Sequence, residues 1–543
     1  MNRFSKVAKA AAMIAALTLS MSGCGASSNG SGSKSSQDSY DKTAIITTNG
    51  SEPLNPLAPV QSVESGGAKV ATQLFAGLVT YSSDGKPVLD AAESITPNDD
   101  STEWTVKLKS GWTFTNGEKM TSDSFIDSWN YAAKLSNGLQ AASYFSNIQG
   151  YSDSKDSDLT GVKKVDDLTF TVALNKPESD FLMRLGYVAF APMPSVAFDD
   201  MKAYGEHPIG NGPYKLDSWQ HDHSIKLVPN PEYDGPRKAK NAGVTYTLYT
   251  NLDSAYADLV AGNLDVLDSI PSSALVTYRG EKAIQPFSKA GPGFKSFTIP
   301  QNLKHFTGEE GRLRRAAISM AINRNNIVEK VLRGAATAAT DFTAPVIAGY
   351  AKDLDKDGVL GYSADQAKQL WAQADAINPW DGTFRLAYST DSGSKQWVDA
   401  IVNSIKNVLG IDAQSYPFPT QKDFSGAVHD RTIDAAFVQG LQSDYPHPEG
   451  YLVQAYDSSA ADGKGLNNGD YKSGEFDALI DQAARQTTLD GAVEYYHQAE
   501  QVLLKDLPVI PLWYGNVTAA AGKQVKNVSF NYMGLPEYQN LTK

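Results

Sequence analysis

The sequence predicts a mixed α/β protein with more than one domain. From Thr43 onward, runs with strand-like patterning alternate with longer runs whose apolar residues recur at helical spacing. The chain has 543 residues, which is too many for one hydrophobic core, so two or three domains are expected. No internal repeat is present, so the pattern does not indicate a solenoid or a propeller.

The N-terminus has the pattern of a secreted protein. Arg3, Lys6 and Lys9 precede an apolar run over residues 10–21, which is too short to span a bilayer and is typical of a signal peptide over residues 1–23. Cys24 follows and is the only cysteine of the chain. This arrangement resembles a bacterial lipobox, in which the thiol carries the lipid; the alternative is a free thiol beside an ordinary cleavage site. The Gly/Ser-rich residues 24–40 predict a flexible tether.

The charge and cysteine content exclude several classes of protein. The formal net charge is -13 at pH 7, which argues against nucleic acid as a partner and against broad contact with anionic lipid. Contact with the membrane is therefore expected through the lipid anchor only. A single cysteine allows no disulfide framework.

The first part of the chain predicts short strands and a helix. "TAIITTNG" is typical of a strand, and "GGAKVATQLFAGLVTY" carries Val70, Leu74, Leu78 and Val79 at helical spacing. "EWTVKLKSGWTFTNGEKM" predicts a hairpin in which Trp104, Val106 and Leu108 share one face.

The later part predicts longer helices. "EGRLRRAAISMAINRNNIVEKVLRG" has one apolar stripe and predicts a continuous helix that ends at Gly334. "SKQWVDAIVNSIKNVLG" predicts a second amphipathic helix. "GAVEYYHQAEQVLLKDLPVIPLWYG" predicts a helix that ends near Pro508 and continues into a strand.

The sequence contains no strong catalytic motif. There is no nucleophile elbow, phosphate-binding glycine loop or His-Glu-x-x-His pattern, so we expect a protein that is not an enzyme and requires no cofactor. Asp353, Asp355 and Asp357 match the first half of a calcium loop, but the closing position is Ala364 instead of Glu. The segment is therefore either a structural Ca²⁺ site or an Asx-rich turn.

One carboxylate stands out near the C-terminus. In "VQGLQSDYPHPEGYL", Asp444 lies between an apolar run and two prolines. Prolines so close together end regular structure, which places Asp444 at the exposed end of a strand. It could cap a turn, bind a metal, catalyse a reaction or meet a charged ligand.

Several blocks together resemble one family. "LFAGLVTYSSDGKPVL", "GNGPYKLDSW", "RLRRAAISMAINRNNIVEKVLRG", "SDYPHPEGYL" and "LPVIPLWY" are similar, in this order, to blocks of the peptide/oligopeptide/nickel class of ABC-transporter solute-binding proteins. The resemblance implies a two-lobed, periplasmic-binding-protein-like α/β fold with a large domain inserted in the first lobe. It implies a first lobe of residues 41–63, 204–296 and 506–543, an inserted domain of residues 64–203 and a second lobe of residues 297–505.

The resemblance also implies a site. Asp444 falls on an Asp that pairs with the α-ammonium of a bound oligopeptide in this family, and Gly440 and Gln442 would offer backbone groups to an extended peptide. In the facing segment 63–67, Glu64 is the only charge. A capping role for Asp444 in the turn remains the alternative.

Two positions depart from the family pattern. Leu441 stands where Trp is common, and Val438 stands where some members have an Arg that contacts the carboxylate of the ligand. The length of the ligand and the recognition of its C-terminus therefore stay open.

The implied function is capture of oligopeptides by a monomeric, lipid-anchored protein on the outer face of the cell membrane. Its partners would be the permease and ATPase subunits of an ABC importer. Two alternatives remain: the same fold could bind an oligosaccharide or a nickel complex, or the chain could be a surface hydrolase with two facing carboxylates.

Overall fold

The N-terminal part of the fold combines a central strand with a smaller sheet and short helices. The computed structural model describes residues 43–543. The elements up to residue 206 are β1 (Ile45–Gly50), α1 (Ser65–Leu74), β2 (Val79–Tyr81), β3 (Pro87–Leu89), β4 (Ala92–Pro97), β5 (Glu103–Leu108), α2 (Ser122–Ala133), β6 (Val162–Asp166), β7 (Thr169–Ala173), α3 (Phe181–Arg184) and α4 (Met201–Glu206). Strands β4, β5, β7 and β6 form an antiparallel sheet in that order. Alternate residues of β5 are buried, which explains the period-two pattern of its sequence.

The chain then returns to the sheet that contains β1. The elements from residue 214 to 298 are β8 (Tyr214–Gln220), β9 (Ser224–Pro229), β10 (Gly243–Leu248), α5 (Leu252–Ala261), β11 (Val266–Leu267) and β12 (Ile284–Thr298). β1 pairs in parallel with β10 and β11, while β8, β9 and β10 form an antiparallel meander. β12 is long enough to leave this part of the molecule and enter the next.

The C-terminal part is richer in helices. Its elements are α6 (Gly308–Met320), α7 (Arg324–Lys330), β13 (Ala336–Ala338), α8 (Ala364–Ile377), β14 (Phe384–Ser389), α9 (Lys395–Leu409), β15 (Ala413–Phe418), α10 (Gln421–His429), β16 (Ala436–Leu441), α11 (Glu449–Tyr456), α12 (Gly474–Ala484), α13 (Leu489–Asp506) and β17 (Val509–Gly522). β14 pairs in parallel with β15 and β16, and β16 pairs antiparallel with β12.

Two long strands, β12 and β17, connect the halves of the molecule. They pair along one stretch over Ile284–Ala290 and along another over Phe294–Thr298, with an irregularity between them. The sequence at the irregularity is Gly291-Pro292-Gly293, which interrupts regular pairing because proline lacks an N–H donor. One large apolar cluster contains Ile46 and Trp129, and another contains Phe297 and Leu503. The two halves therefore have separate cores and share a strand pair.

Local patterns predicted some elements correctly and misplaced others. The segment 308–330 is not one helix, because α6 ends at Met320 and Asn323 caps α7 by accepting a hydrogen bond from the Asn326 N–H at 3.0 Å. The predicted helix around Val79 ends at Leu74, and Val79 begins a strand instead. In the predicted hairpin, Trp104, Val106 and Leu108 do share one buried face, but β5 pairs with β4 and β7, and the rest of the stretch forms only an isolated antiparallel bridge between Thr113 and Lys119.

The signal-peptide, lipidation and tether predictions, including Cys24, fall in residues 1–42, outside the described residues. Within residues 43–543, no helix has the length and apolar character needed to cross a membrane. The predicted domain boundaries stay predictions.

Candidate functional site

Asp444 lies in the loop between β16 and α11. The loop is held locally, since the Ser443 hydroxyl donates to the Tyr445 carbonyl oxygen at 2.6 Å and the His447 N–H donates to the same oxygen at 2.8 Å. Pro446 and Pro448 are buried and restrict the backbone further. The side chain of Asp444 is therefore presented from a stiff loop at the end of a strand, as its sequence context predicts.

Tyrosines from distant parts of the chain surround Asp444. The Tyr144 hydroxyl donates to Asp444 Oδ2 at 3.1 Å and lies 3.2 Å from the Tyr187 hydroxyl. The Tyr532 hydroxyl donates to the Asp444 backbone carbonyl at 2.5 Å. The Tyr81 ring packs edge-on against Tyr532, with ring centroids 5.2 Å apart. These four tyrosines are called the tyrosine cluster below.

The charge of Asp444 has no cation beside it. Partial burial raises the pKa of the Asp444 carboxyl, while the hydrogen bond from Tyr144 and the more distant charge of Arg184 act in the opposite direction. Among residues 43–543, no Lys, Arg or His nitrogen forms an ion pair with it. Burial also raises the pKa of Tyr144 and Tyr187, so both remain protonated hydrogen-bond donors. The Asp444 carboxylate can therefore pair with a cation supplied by a ligand.

The strand that leads to Asp444 has an open edge. β12 pairs with β16 from Phe437 to Leu441 on one side, but on the other side β14 reaches only Ala436 and Phe437. In the described part of the chain, the remainder of that edge has no partner strand. Gly440 and Gln442 are both exposed there. An extended chain could add to this edge through main-chain hydrogen bonds.

A cavity of about 290 Å³ lies next to the tyrosine cluster. Tyr81, Tyr187 and Tyr532 line it, together with apolar side chains such as Phe75 and Leu535. Amphipathic aromatic walls can contact apolar groups and still donate hydrogen bonds. The cavity can therefore hold an apolar or aromatic group.

Glu64 has a structural role in the fold. Its carboxylate accepts hydrogen bonds from the Gly66 N–H at 2.6 Å, the Gly67 N–H at 2.7 Å and the Leu54 N–H at 3.1 Å, and it caps helix α1. These bonds occupy both carboxylate oxygens. Contact between Glu64 and a ligand stays a prediction that the structure does not test.

The predicted calcium loop lacks a carboxylate cluster. Asp355 uses both oxygens to accept hydrogen bonds from the Val359 and Leu360 N–H groups, each at 2.9 Å. Within residues 43–543, no group of three or more Asp, Glu, His or Cys side chains is arranged to hold a metal. Asp353 and Asp357 therefore do not assemble with Asp355 into such a group, and a structural Ca²⁺ in this loop stays a prediction.

Sequence reasoning singled out Asp444, whose role stays a prediction, but it did not point to the tyrosine cluster. Tyr144 lies 300 positions from Asp444 along the chain, and Tyr532 lies 88 positions away. Tyrosine is abundant, with 26 copies, so no local pattern distinguishes these four. Their role follows only from the packing of distant segments.

Comparison with known proteins gives a consistent family. Residues 86–463 match the model of "Bacterial extracellular solute-binding proteins, family 5 Middle". The chain is 24% identical over 542 residues to the oligopeptide-binding protein OppA of Bacillus subtilis, which covers 96% of this chain and 97% of that protein. It is 27% identical over 487 residues to the periplasmic oligopeptide-binding protein OppA of Salmonella typhimurium, which covers 87% of each chain.

Solved structures share the fold. The unliganded open form of the periplasmic murein tripeptide binding protein MppA superposes with a TM-score of 0.82 at 22% identity, covering 93% of this chain and 98% of that one. Haemophilus influenzae OppA in complex with RPPGFSPFR superposes with a TM-score of 0.66 at 23% identity, covering 93% and 99%. The predicted two-lobed α/β fold is confirmed.

Proposed function

This chain belongs to family 5 of the bacterial extracellular solute-binding proteins, and we propose that it captures oligopeptides at Asp444 and delivers them to an ABC importer. The observation that carries the proposal is a partly buried carboxylate that lacks a cation and lies beside an open strand edge. The names of the relatives as oligopeptide-binding proteins support the same ligand class.

The chemistry of a peptide matches both features. A free N-terminus supplies an ammonium for Asp444, with the Tyr144 hydroxyl already hydrogen-bonded to the same carboxylate. The peptide backbone can pair with the edge at Gly440 and Gln442 whatever its side chains are. The site would therefore recognise the charged N-terminus and the backbone of the peptide, and its affinity would depend less on the peptide sequence.

We propose that Cys24 carries the lipid that holds the protein at the membrane. The protein would then remain close to the permease and ATPase subunits of the importer. Cys24→Ser should release the protein into the medium and abolish labelling by palmitate analogues. A variant that stays in the membrane fraction would contradict the anchor without affecting the peptide proposal.

The proposal is tested by removing the charge of Asp444. Native mass spectrometry of protein purified from rich medium should first identify a bound peptide. Asp444→Asn should then weaken the binding of that peptide by about 2–5 kcal/mol, because the ligand ammonium would be buried without its partner. This corresponds to roughly thirtyfold to several thousandfold in the dissociation constant, measured by calorimetry.

Two controls separate contact with the ligand from a general defect. An N-acetylated copy of the peptide lacks the ammonium, so it should bind the original protein weakly and lose little more in Asp444→Asn. Asp434→Asn changes a carboxylate whose side chain is 87% exposed and should leave affinity unchanged. Equal weakening of both peptides by Asp444→Asn would make Asp444 a structural residue. If the purified protein carries an oligosaccharide or a nickel complex instead of a peptide, that ligand class replaces peptides in the proposal.

A further inference from the structure

Lys295 occupies an unusual position on the shared strand β12. It pairs directly with Gly440 of β16. A Cβ atom placed on Gly440 would lie only 2.9 Å from Lys295 Nζ. The Lys295 ammonium therefore lies over the backbone of β16 at Gly440. Any side chain at position 440 would clash with it.

The ammonium of Lys295 has no anionic partner in the described chain. No Asp or Glu oxygen of residues 43–543 forms an ion pair with it. Burial lowers the pKa of Lys295, and no neighbouring carboxylate opposes this. Lys69 provides the contrast, because its Nζ lies 2.5 Å from both the Asn49 carbonyl and Asp268 Oδ2. Lys69 is satisfied within the fold, whereas Lys295 is not.

Lys295 lines a cavity of about 360 Å³ whose walls come from the three adjacent strands β16, β12 and β17. The cavity is also lined by Gly440, Gln442, Trp513 and Gly515. The Gln442 amide reaches towards Met533 Sδ at 3.8 Å, in the segment that contributes Tyr532 to the tyrosine cluster. The cavity and the tyrosine cluster therefore lie on either side of residues 440–444. Lys295 lies at the Gly440 end of this stretch, and Asp444 forms the other end.

Resting on the proposed function, we infer that Lys295 binds the C-terminal carboxylate of the peptide whose ammonium meets Asp444. It supplies from β12 the positive charge that Val438 cannot supply from β16. A carboxylate would give the half-buried ammonium the charged partner that it lacks.

The spacing limits the length of the peptide. Gly440 and Asp444 are four residues apart, and four Cα–Cα steps of about 3.8 Å span at most about 15 Å. An extended peptide advances about 3.3 Å per residue. Both ends can therefore be held at once only in peptides of up to about four residues, and longer peptides must give up one contact.

The test uses mixed-sequence libraries of tripeptides and heptapeptides, each as free acids and as C-terminal amides. Retention by the full protein is measured by native mass spectrometry. Free-acid tripeptides should be retained about 10- to 150-fold more strongly than their amides, the range expected for a bond between charged groups. Lys295→Met keeps the apolar stem and removes the charge, so this discrimination should disappear. Lys289→Met, on an exposed residue of the same strand, should keep it.

The outcomes distinguish the inference from the proposed function. Undiminished discrimination in Lys295→Met, or equal retention of heptapeptides and tripeptides by the original protein, would overturn the inference and leave peptide binding intact. Retention of neither library by the original protein would overturn the proposed function itself. Thermal melting of Lys295→Met should match that of Lys289→Met, which shows that lost discrimination is not unfolding.

Discussion

Asp444 and Glu449 lie five positions apart, yet the fold treats their carboxyl groups in opposite ways. Glu449 begins α11 and accepts a hydrogen bond from the Tyr445 hydroxyl. Burial and the nearby charge of Asp180 raise the pKa of Glu449 to about 8, while Arg184 acts against this. Asp444 has tyrosine hydroxyls around it and no cation beside it.

The surroundings of Glu449 form a self-contained ionic cluster. Arg184 Nε lies 2.6 Å from Glu178 Oε1, and His447 Nδ1 lies 3.6 Å from Asp180 Oδ2. The Arg184 guanidinium also lies over the Tyr445 ring, 5.6 Å from its centroid. Each carboxyl group here is either paired with a cation or protonated, which is typical of residues that stabilise the fold. The unbalanced carboxylate a few residues away is the one available to a ligand.

Removing the central cation should have the largest effect on the ionic cluster. Arg184→Met should lower the free energy of unfolding by about 3–5 kcal/mol, because it leaves Glu178 buried without its partner. Urea unfolding followed by circular dichroism measures this. Asp444→Asn should change stability by less than about 1 kcal/mol, since no ion pair is broken. Equal destabilisation by the two substitutions would remove the distinction between the sites.

The ionic cluster should also make stability depend on pH. With its pKa raised to about 8 in the fold, Glu449 stays protonated there while it ionises in the unfolded chain above about 4.5. Its contribution to stability is therefore full below the unfolded pKa and is lost as the pH rises towards 8. Glu449→Gln should reduce the loss of stability between pH 5 and 8 by at least about 1.4 kcal/mol, the equivalent of one pKa unit. Glu494→Gln, on an exposed residue of α13, should leave the profile unchanged.

Asp444 should instead make ligand binding depend on pH. Its raised pKa means that acidification protonates the free site and removes the charge that holds the ammonium. Affinity should fall up to about tenfold per pH unit below that pKa, while the ligand ammonium stays charged. Calorimetry from pH 7 down to pH 4 should show the fall for the original protein and a flat profile for Asp444→Asn. The same fall in both would assign the titration to another group.

Calcium should have the smallest effect. Because Asp355 already accepts two backbone hydrogen bonds, millimolar calcium should leave the melting temperature of the ligand-free protein unchanged. Binding to the native state would raise it by mass action. A clear upward shift that Asp355→Asn abolishes would show that calcium binds at this loop.

The sequence by itself determined features that depend on neighbouring residues. The alternation in β5, the amphipathic helices α9 and α13 and the position of Asp444 between a strand and two prolines all follow from local spacing and backbone preference. The blocks of sequence were also sufficient to indicate the family and its two-lobed fold. The break at Asn323 was overlooked because the apolar stripe continues across it.

Only the tertiary structure decided how the site is built. The capping of α1 by Glu64 depends on the backbone amides that surround its carboxylate. The tyrosine cluster joins segments up to 300 positions apart, and Lys295 meets Gly440 through the register of two strands. Charge balance at Asp444 and Lys295 is likewise a property of distances through space. Local periodicity carries no information on such distances, because they are set by how separately folded segments pack together.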